Sequence, residues 1–283
     1  IGNNNVYVIV CFAGTFLRPF DNEGFLMTNF YWRQRLLKGR LTLLAGLLDA
    51  TDYVDAWALT SQWTGFLNFA FSNGSQAMYV PPEAALGVAI TAYLNDHFYL
   101  TGSISDAGAN PREPWKSFES FFANTDFYKS IEAGYVSSSD HFILDNIHLT
   151  YWHSDGSEVT NAEAGWGLLF SGSWFLGGRF LPFFRAGYAE NGGTVLSRSI
   201  SAGMGYQPVA KGSVLGIGFN WGAPNESTFK TDLREQYIIE VYYRAQFSTR
   251  LAVTPDMQMV INPALNTSVS TLFLWGLRAR LSL

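Results

Sequence analysis

Polar residues in the C-terminal part of the chain recur at every second position: Glu240, Tyr242 and Arg244, then Asp256 and Gln258, then Arg278 and Arg280. A spacing of two puts each group on one face of one strand. Their chemistry is recognition. Guanidinium and amide groups donate hydrogen bonds, carboxylates accept them, and a phenol does both. Such a set suits a hydroxyl-rich solute whose apolar ring faces can also lie on aromatic side chains. Arg185 joins it if Phe184, Ala186 and Tyr188 face the other way, and Arg33 joins it if Phe30 and Trp32 do. Gln62, Trp63 and Asn68 complete the candidate binding set from a stretch that follows no alternation. The same positions also suit a plain structural role, because neighbouring Arg and Glu side chains pair across strands.

Bond-breaking chemistry finds no support. His153, Ser154 and Asp155 are adjacent, but no GxSxG elbow accompanies them and the stretch reads as a turn after a strand. His97, His141, His148 and His153 lack metal-ligand spacing of the HExxH kind. Cys11 is the single cysteine, so neither an internal disulfide nor a cysteine metal cluster can form. No catalytic residue, metal site or cofactor is therefore expected. The net charge of −5 gives no basic footprint for a nucleic-acid partner.

The elements that position the polar set are strands. In the last thirteen residues, Phe273, Trp275, Leu277, Ala279, Leu281 and Leu283 share one wholly apolar face, opposite Arg278, Arg280 and Ser282. In Gln236–Phe247, Tyr237, Ile239, Val241, Tyr243, Ala245 and Phe247 oppose the polar set, with Ile238 out of pattern; in the next segment Val260 is out of pattern. Upstream, Leu215, Ile217, Phe219 and Trp221 alternate with Gly216, Gly218, Asn220 and Gly222. Glycines on an inner face leave lumen volume or let a neighbouring chain approach. Only 14% of residues are charged, against about 25% in an ordinary soluble domain. Aromatics make up 16%, and no run of roughly 18 apolar residues exists for a spanning helix. Little charge, many aromatics and segments of about ten alternating residues predict an all-β chain folded as a transmembrane antiparallel barrel. A soluble sandwich with a large aromatic core is the competing reading.

Strands are expected to begin near residues 6, 25, 41, 85, 98, 129, 141, 163, 179, 195, 213, 235, 251 and 271, about fourteen in all. The first, Val6–Phe12, is apolar on both faces. Tight turns at 95–97, 176–178 and 248–250 alternate with longer polar connections at 106–116, 154–161 and 223–234. That is the asymmetry between the two ends of an outer-membrane barrel. About fourteen strands enclose an aqueous lumen, since about eight are already filled by side chains. Residues 56–82 are too apolar for a free surface loop and are expected to fold inward as a constriction.

Several stretches resemble the carbohydrate-selective porin family (OprB-like): Leu41-Thr-Leu-Leu-Ala-Gly-Leu-Leu-Asp-Ala-Thr-Asp-Tyr53, Trp152-His-Ser-Asp-Gly156, Phe184-Arg-Ala-Gly-Tyr188 and Ser201-Ala-Gly-Met-Gly-Tyr206. The strongest is 235–283, with Glu240-Val-Tyr-Tyr-Arg244, Leu251-Ala-Val-Thr-Pro-Asp-Met-Gln258, Ile261-Asn-Pro263 and Gly276-Leu-Arg-Ala-Arg-Leu-Ser282. The resemblance implies a single outer-membrane barrel domain over 1–283, sixteen strands where about fourteen are visible, and part of the family's N-terminal region missing before Gly24. It implies passive diffusion of monosaccharides or similar small polar solutes across a Gram-negative outer membrane. Membrane lipid and small sugars are then the partners. A second copy is a further one, since outward Trp, Phe and Leu suit lipid or a neighbour equally. Mixed charge signs in the lumen favour neutral solutes. The alternative is a plugged barrel that serves as a surface-interaction or structural protein.

Overall fold

The computed structural model describes residues 6–14, 25–208 and 212–281, with the backbone alone for Val6–Gly14 and Phe25. Fourteen strands form one antiparallel sheet in chain order. They are β1 (Val6–Gly14), β2 (Phe25–Leu36), β3 (Leu41–Leu48), β4 (Ala85–Tyr93), β5 (Phe98–Asp106), β6 (Phe127–Val136) and β7 (Asn146–Ser154). The second half holds β8 (Gly165–Ser173), β9 (Phe180–Asn191), β10 (Leu196–Tyr206), β11 (Val214–Pro224), β12 (Gln236–Gln246), β13 (Leu251–Ile261) and β14 (Thr271–Leu281). Each strand pairs with its sequence neighbours, and among the described residues β1 and β14 stand at the two edges of an unclosed sheet. Strands of this length suit a bilayer core when tilted, since about 9–11 residues span it.

The alternation decides which way the sheet faces. Phe273, Trp275, Leu277 and Leu281 on β14 are exposed, as are Ile217 and Phe219 on β11 and Leu168 and Phe170 on β8. Aromatic rings gather at both ends of this outer face. Tyr151, Trp166 and Tyr188 touch near the long-loop end, with centroids 6.3 and 5.7 Å apart. Phe98, Tyr135 and Trp174 touch near the short-turn end, at 5.1 and 6.1 Å. Two belts separated by aliphatic side chains match the two water–lipid interfaces.

Local chemistry accounts for the differences from the sequence reading. The strand expected near 141 begins at Asn146. Ser139–His141 forms a 3-10 turn, and the amides of Leu144 and Asp145 donate back to the His141 carbonyl at 2.8 and 2.9 Å. A helix, α1 (Lys116–Ala123), follows the polar connection after β5 and was not expected. Its Ser117 hydroxyl donates to Asp106 Oδ2 at 2.5 Å and accepts from the Leu86 amide at 2.9 Å, which ties it to the sheet. The inward segment begins earlier than residue 56, at Asp49, directly after β3, and runs to Ala84. Cys11 lies on β1, where only the backbone is described, and Ser282, Leu283 and Gly24 lie outside the described residues.

The core lies between this inward loop and the inner wall. Tyr53, Val54, Met78 and Tyr79 of the loop pack with wall residues Tyr128, Trp152 and Leu169. Trp57, Phe66 and Phe71 pack with Phe183, Val214, Ile238, Tyr242 and Val260. Ile238 and Val260, which break the alternation, therefore face apolar loop side chains instead of water. Burying such a side chain contributes roughly 1.5–3 kcal/mol. The inner-face glycines serve the same packing: a Cβ on Gly218 would lie 2.7 Å from Phe71 and 3.0 Å from Phe66.

Candidate constriction site

A loop inside a barrel loses water from its amides and carbonyls, and each one left unpaired costs about 1–3 kcal/mol. Here charged wall residues replace the water. At the base, Asn29 of β2 accepts from the Asp49 amide at 2.9 Å and donates to Asp52 at 3.2 Å. Deeper in, Asp55 adopts the left-handed backbone (φ 51), a conformation Asp tolerates better than most residues. Its amide donates to Glu132 of β6 at 2.8 Å. Its carboxylate accepts from the Gly74 amide at 2.5 Å, pairs with His148 Nε2 of β7 at 2.8 Å and is bridged by Arg185 of β9. Arg185 also donates to the carbonyls of Phe71 and Ser72 at 3.0 and 2.7 Å and lies over the Trp57 ring at 5.0 Å. Glu132 further accepts from Tyr99 and Thr150 at 2.7 and 2.8 Å. Burial pushes the Asp55 carboxyl up, but Arg185 and His148 outweigh it and hold the group below its ordinary range.

The loop tip is held by a second set of wall residues. Glu240 accepts from the amides of Leu67 and Asn68 at 2.5 and 2.9 Å. The Asn68 amide group donates to Gln258 at 2.9 Å, and Gln258 donates to Asp256 at 3.0 Å. Arg278 donates to the carbonyls of Gln62 and Gly65, the latter at 2.9 Å, and lies 3.5 Å from Asp256. Arg244 donates to the Thr64 carbonyl at 3.2 Å and to the Gly212 carbonyl at 3.1 Å. Tyr242 meets Phe66 edge-on at 5.1 Å. Carboxylates thus take loop amides, and guanidiniums take loop carbonyls.

All the sequence-derived candidates on strands face inward, but they divide by access. Arg185, Glu240, Tyr242, Asp256 and Gln258 are buried beneath the loop. Arg33, Gln62, Asn68, Arg244 and Arg278 stay partly open, and Trp63 and Arg280 are exposed. Trp63 and Phe69 of the loop keep 59% and 41% of their surface exposed. Arg33 sits on the inner face of β2. Asp55, Glu132, His148 and Tyr99 were missed. Strand parity could have found two of them, since Glu132 shares a face with Ser130 and His148 with Asn146 and Thr150. At the rim, Ser154 Oγ accepts from the Gly156 amide at 3.2 Å and closes a turn. His153 lies 3.3 Å from Asp155, which pairs with Lys129 at 2.8 Å.

Solved porins share this architecture. The high-pH structure of Pseudomonas putida OprB superposes with a TM-score of 0.68 at 15% identity, covering 91% of this chain and 73% of that one. The outer membrane channel DcaP of Acinetobacter baumannii gives 0.61 at 10% identity, covering 100% and 82%. OmpT of Vibrio cholerae in its trimer form gives 0.60 at 12% identity, covering 98% and 86%. No individually curated protein matches. The carbohydrate-selective porin, OprB family, matches residues 18–180 and 177–283, nearly the whole chain, and this porin of the bacterial outer membrane belongs to that family.

Proposed function

We propose that the chain is a passive diffusion pore for monosaccharides and similar small polar solutes, with the loop at 49–84 as its constriction and no catalytic step. The observation that carries this reading is the anchoring of the loop to the inner wall by Asp55–Arg185 and Glu240 while Trp63 and Phe69 stay open to water. An exposed indole beside amide and guanidinium donors offers a sugar both an apolar platform and hydrogen bonds. Gln62, Asn68, Arg244 and Arg278 are the polar contacts, and Arg33 lines the inner face of β2. The five buried candidates act by holding the loop. A homo-oligomer in the membrane fits the same reading, given the trimer form of a structural relative.

The two apolar clusters under the loop favour a second reading, a barrel plugged on that side that serves an interaction role. Swelling of proteoliposomes in isotonic sugars separates the two. A pore gives rates that fall from arabinose through glucose to maltose and raffinose. Folded protein that gives no swelling above empty liposomes would overturn the pore.

A further inference from the structure

The inward charges differ in their access to water. Among the described residues, the carboxylates on the inner face of strands are Glu132, Glu240 and Asp256. Their exposures are 1%, 0% and 4%, all spent on the loop and its supports. Most inner-face guanidiniums are not sequestered. Arg244 and Arg278 are half-buried, and Arg35 and Arg280 are exposed. Arg278 bonds neutral loop carbonyls and has Asp256 at 3.5 Å, while Arg244 bonds only neutral carbonyls. No carboxylate of the described residues lies within ion-pair distance of Arg35, Arg244 or Arg280. All four arginines sit toward the short-turn end: Arg35 pairs in register with Thr42 near the start of β3, and Arg280 with Ala252 near the start of β13.

Accessible acids lie on connections: Asp96, paired with Arg40, and Asp140 at the short-turn end, and more at the opposite end. Asp49, Asp52 and Glu83 stand at the base of the loop, beyond the far ends of β3 and β4. Strand rise puts Asp49 roughly 23 Å along the sheet from the level of Arg35. Salt screens charges over about 8 Å at physiological ionic strength, so these acids leave the arginine zone unneutralised. Although the chain carries net charge −5, the inner face of the strands at the short-turn end is positive where it meets water, with Asp96 and Asp140 on the connections outside it.

We propose that the pore prefers anionic sugar-sized solutes, polyols that carry one carboxylate or phosphate, over neutral and cationic ones of equal size. This rests on the porin reading and names its substrate class. It replaces the expectation that mixed signs favour neutral solutes, because the negative half of the mixture is buried. Guanidiniums suit such a solute, giving paired donors to the anion and to hydroxyls from one fork.

The test uses the full-length porin in planar bilayers, with glucuronate, glucose and glucosamine titrated against single-channel current. They share size and differ in charge. Glucuronate is expected to block at a concentration lower than glucose by roughly two- to fivefold, the span of one exposed ion pair, with glucosamine weakest. A potassium chloride gradient is expected to give a reversal potential of the anion-selective sign. The double variant Arg35→Gln, Arg280→Gln, which leaves the loop-anchoring Arg185, Arg244 and Arg278 in place, is expected to bring glucuronate to within about twofold of glucose. Arg35→Lys, Arg280→Lys should restore the order. A channel that ranks glucosamine with or above glucuronate, or a double variant with the ranking unchanged, overturns the substrate class and leaves the pore standing. Folded protein without conductance overturns both.

Discussion

Asp55 shows what one loop residue can hold together. It joins β6, β7 and β9 to the loop through Glu132, His148 and Arg185, all nearly inaccessible. Removing one partner of a buried pair strands the other charge, at about 3–5 kcal/mol. Arg185→Met is therefore expected to lower the unfolding midpoint in denaturant by that amount, and Arg185→Lys by less. The Asp55 carboxyl sits below its ordinary value of 3.8, so its contribution is complete above that value and lost as pH falls through the lower folded one. Asp52 behaves in the opposite sense. By area it is open to water, yet loss of hydration within the enclosing wall and repulsion from Asp49 raise its carboxyl to about 6. Its protonated form is favoured in the folded state, so stability is highest below 3.8 and declines as pH rises through about 6. Asp52→Asn should then raise the thermal midpoint at pH 7.5, by at most about 1 kcal/mol given solvent screening, with little effect at pH 4. A midpoint lowered at pH 7.5 would contradict this. None of it was legible from residue type alone. His148 carries no metal spacing, and Asp55 lies one position before the stretch read as inward.

The strands were the most legible elements, because a two-residue period with one lipid face leaves little freedom. The predicted starts of β2, β3, β4, β5, β13 and β14 coincide with the observed ones. The places where alternation fails were informative in retrospect. Ile238 and Val260 put apolar groups on an inner face, and an apolar loop covers them. Of the two readings of the inner-face glycines, lumen volume or close approach of a neighbouring segment, Gly216 and Gly218 follow the second: they make room for Tyr242 and for the rings of Phe66 and Phe71. Helix α1 was missed because it is one short segment after a polar connection and docks through Ser117 and Ser120 on Asp106, a tertiary contact. Gly218→Val should push the loop tip off the wall. The expected outcome is faster proteolytic cleavage between residues 61 and 73 and a larger single-channel conductance. Unchanged cleavage and conductance would mean that the tip is not seated on β11. Phe66→Ala should cost about 3–5 kcal/mol through the cavity it leaves, measured as a lowered denaturation midpoint.

At the scale of the whole molecule, the outer face carries two aromatic belts that suit the two interfaces of a membrane, and the inner face is used unevenly. One loop covers a broad arc of wall, takes up the inward carboxylates and leaves exposed aromatics and arginines. Composition and periodicity reached the barrel. They could not reach this division, because which inward charges meet water depends on where a non-periodic loop rests. On the proposed reading the loop narrows an open pore and offers it a solute-binding surface. Single-channel current titrated with glucose, for the native chain and for Trp63→Ala, tests this most directly. Stepwise conductance that glucose reduces saturably is expected, with several-fold weaker block in the variant, since losing an aromatic contact removes roughly 0.5–1.5 kcal/mol. Stepwise conductance that glucose leaves untouched in both proteins would contradict it.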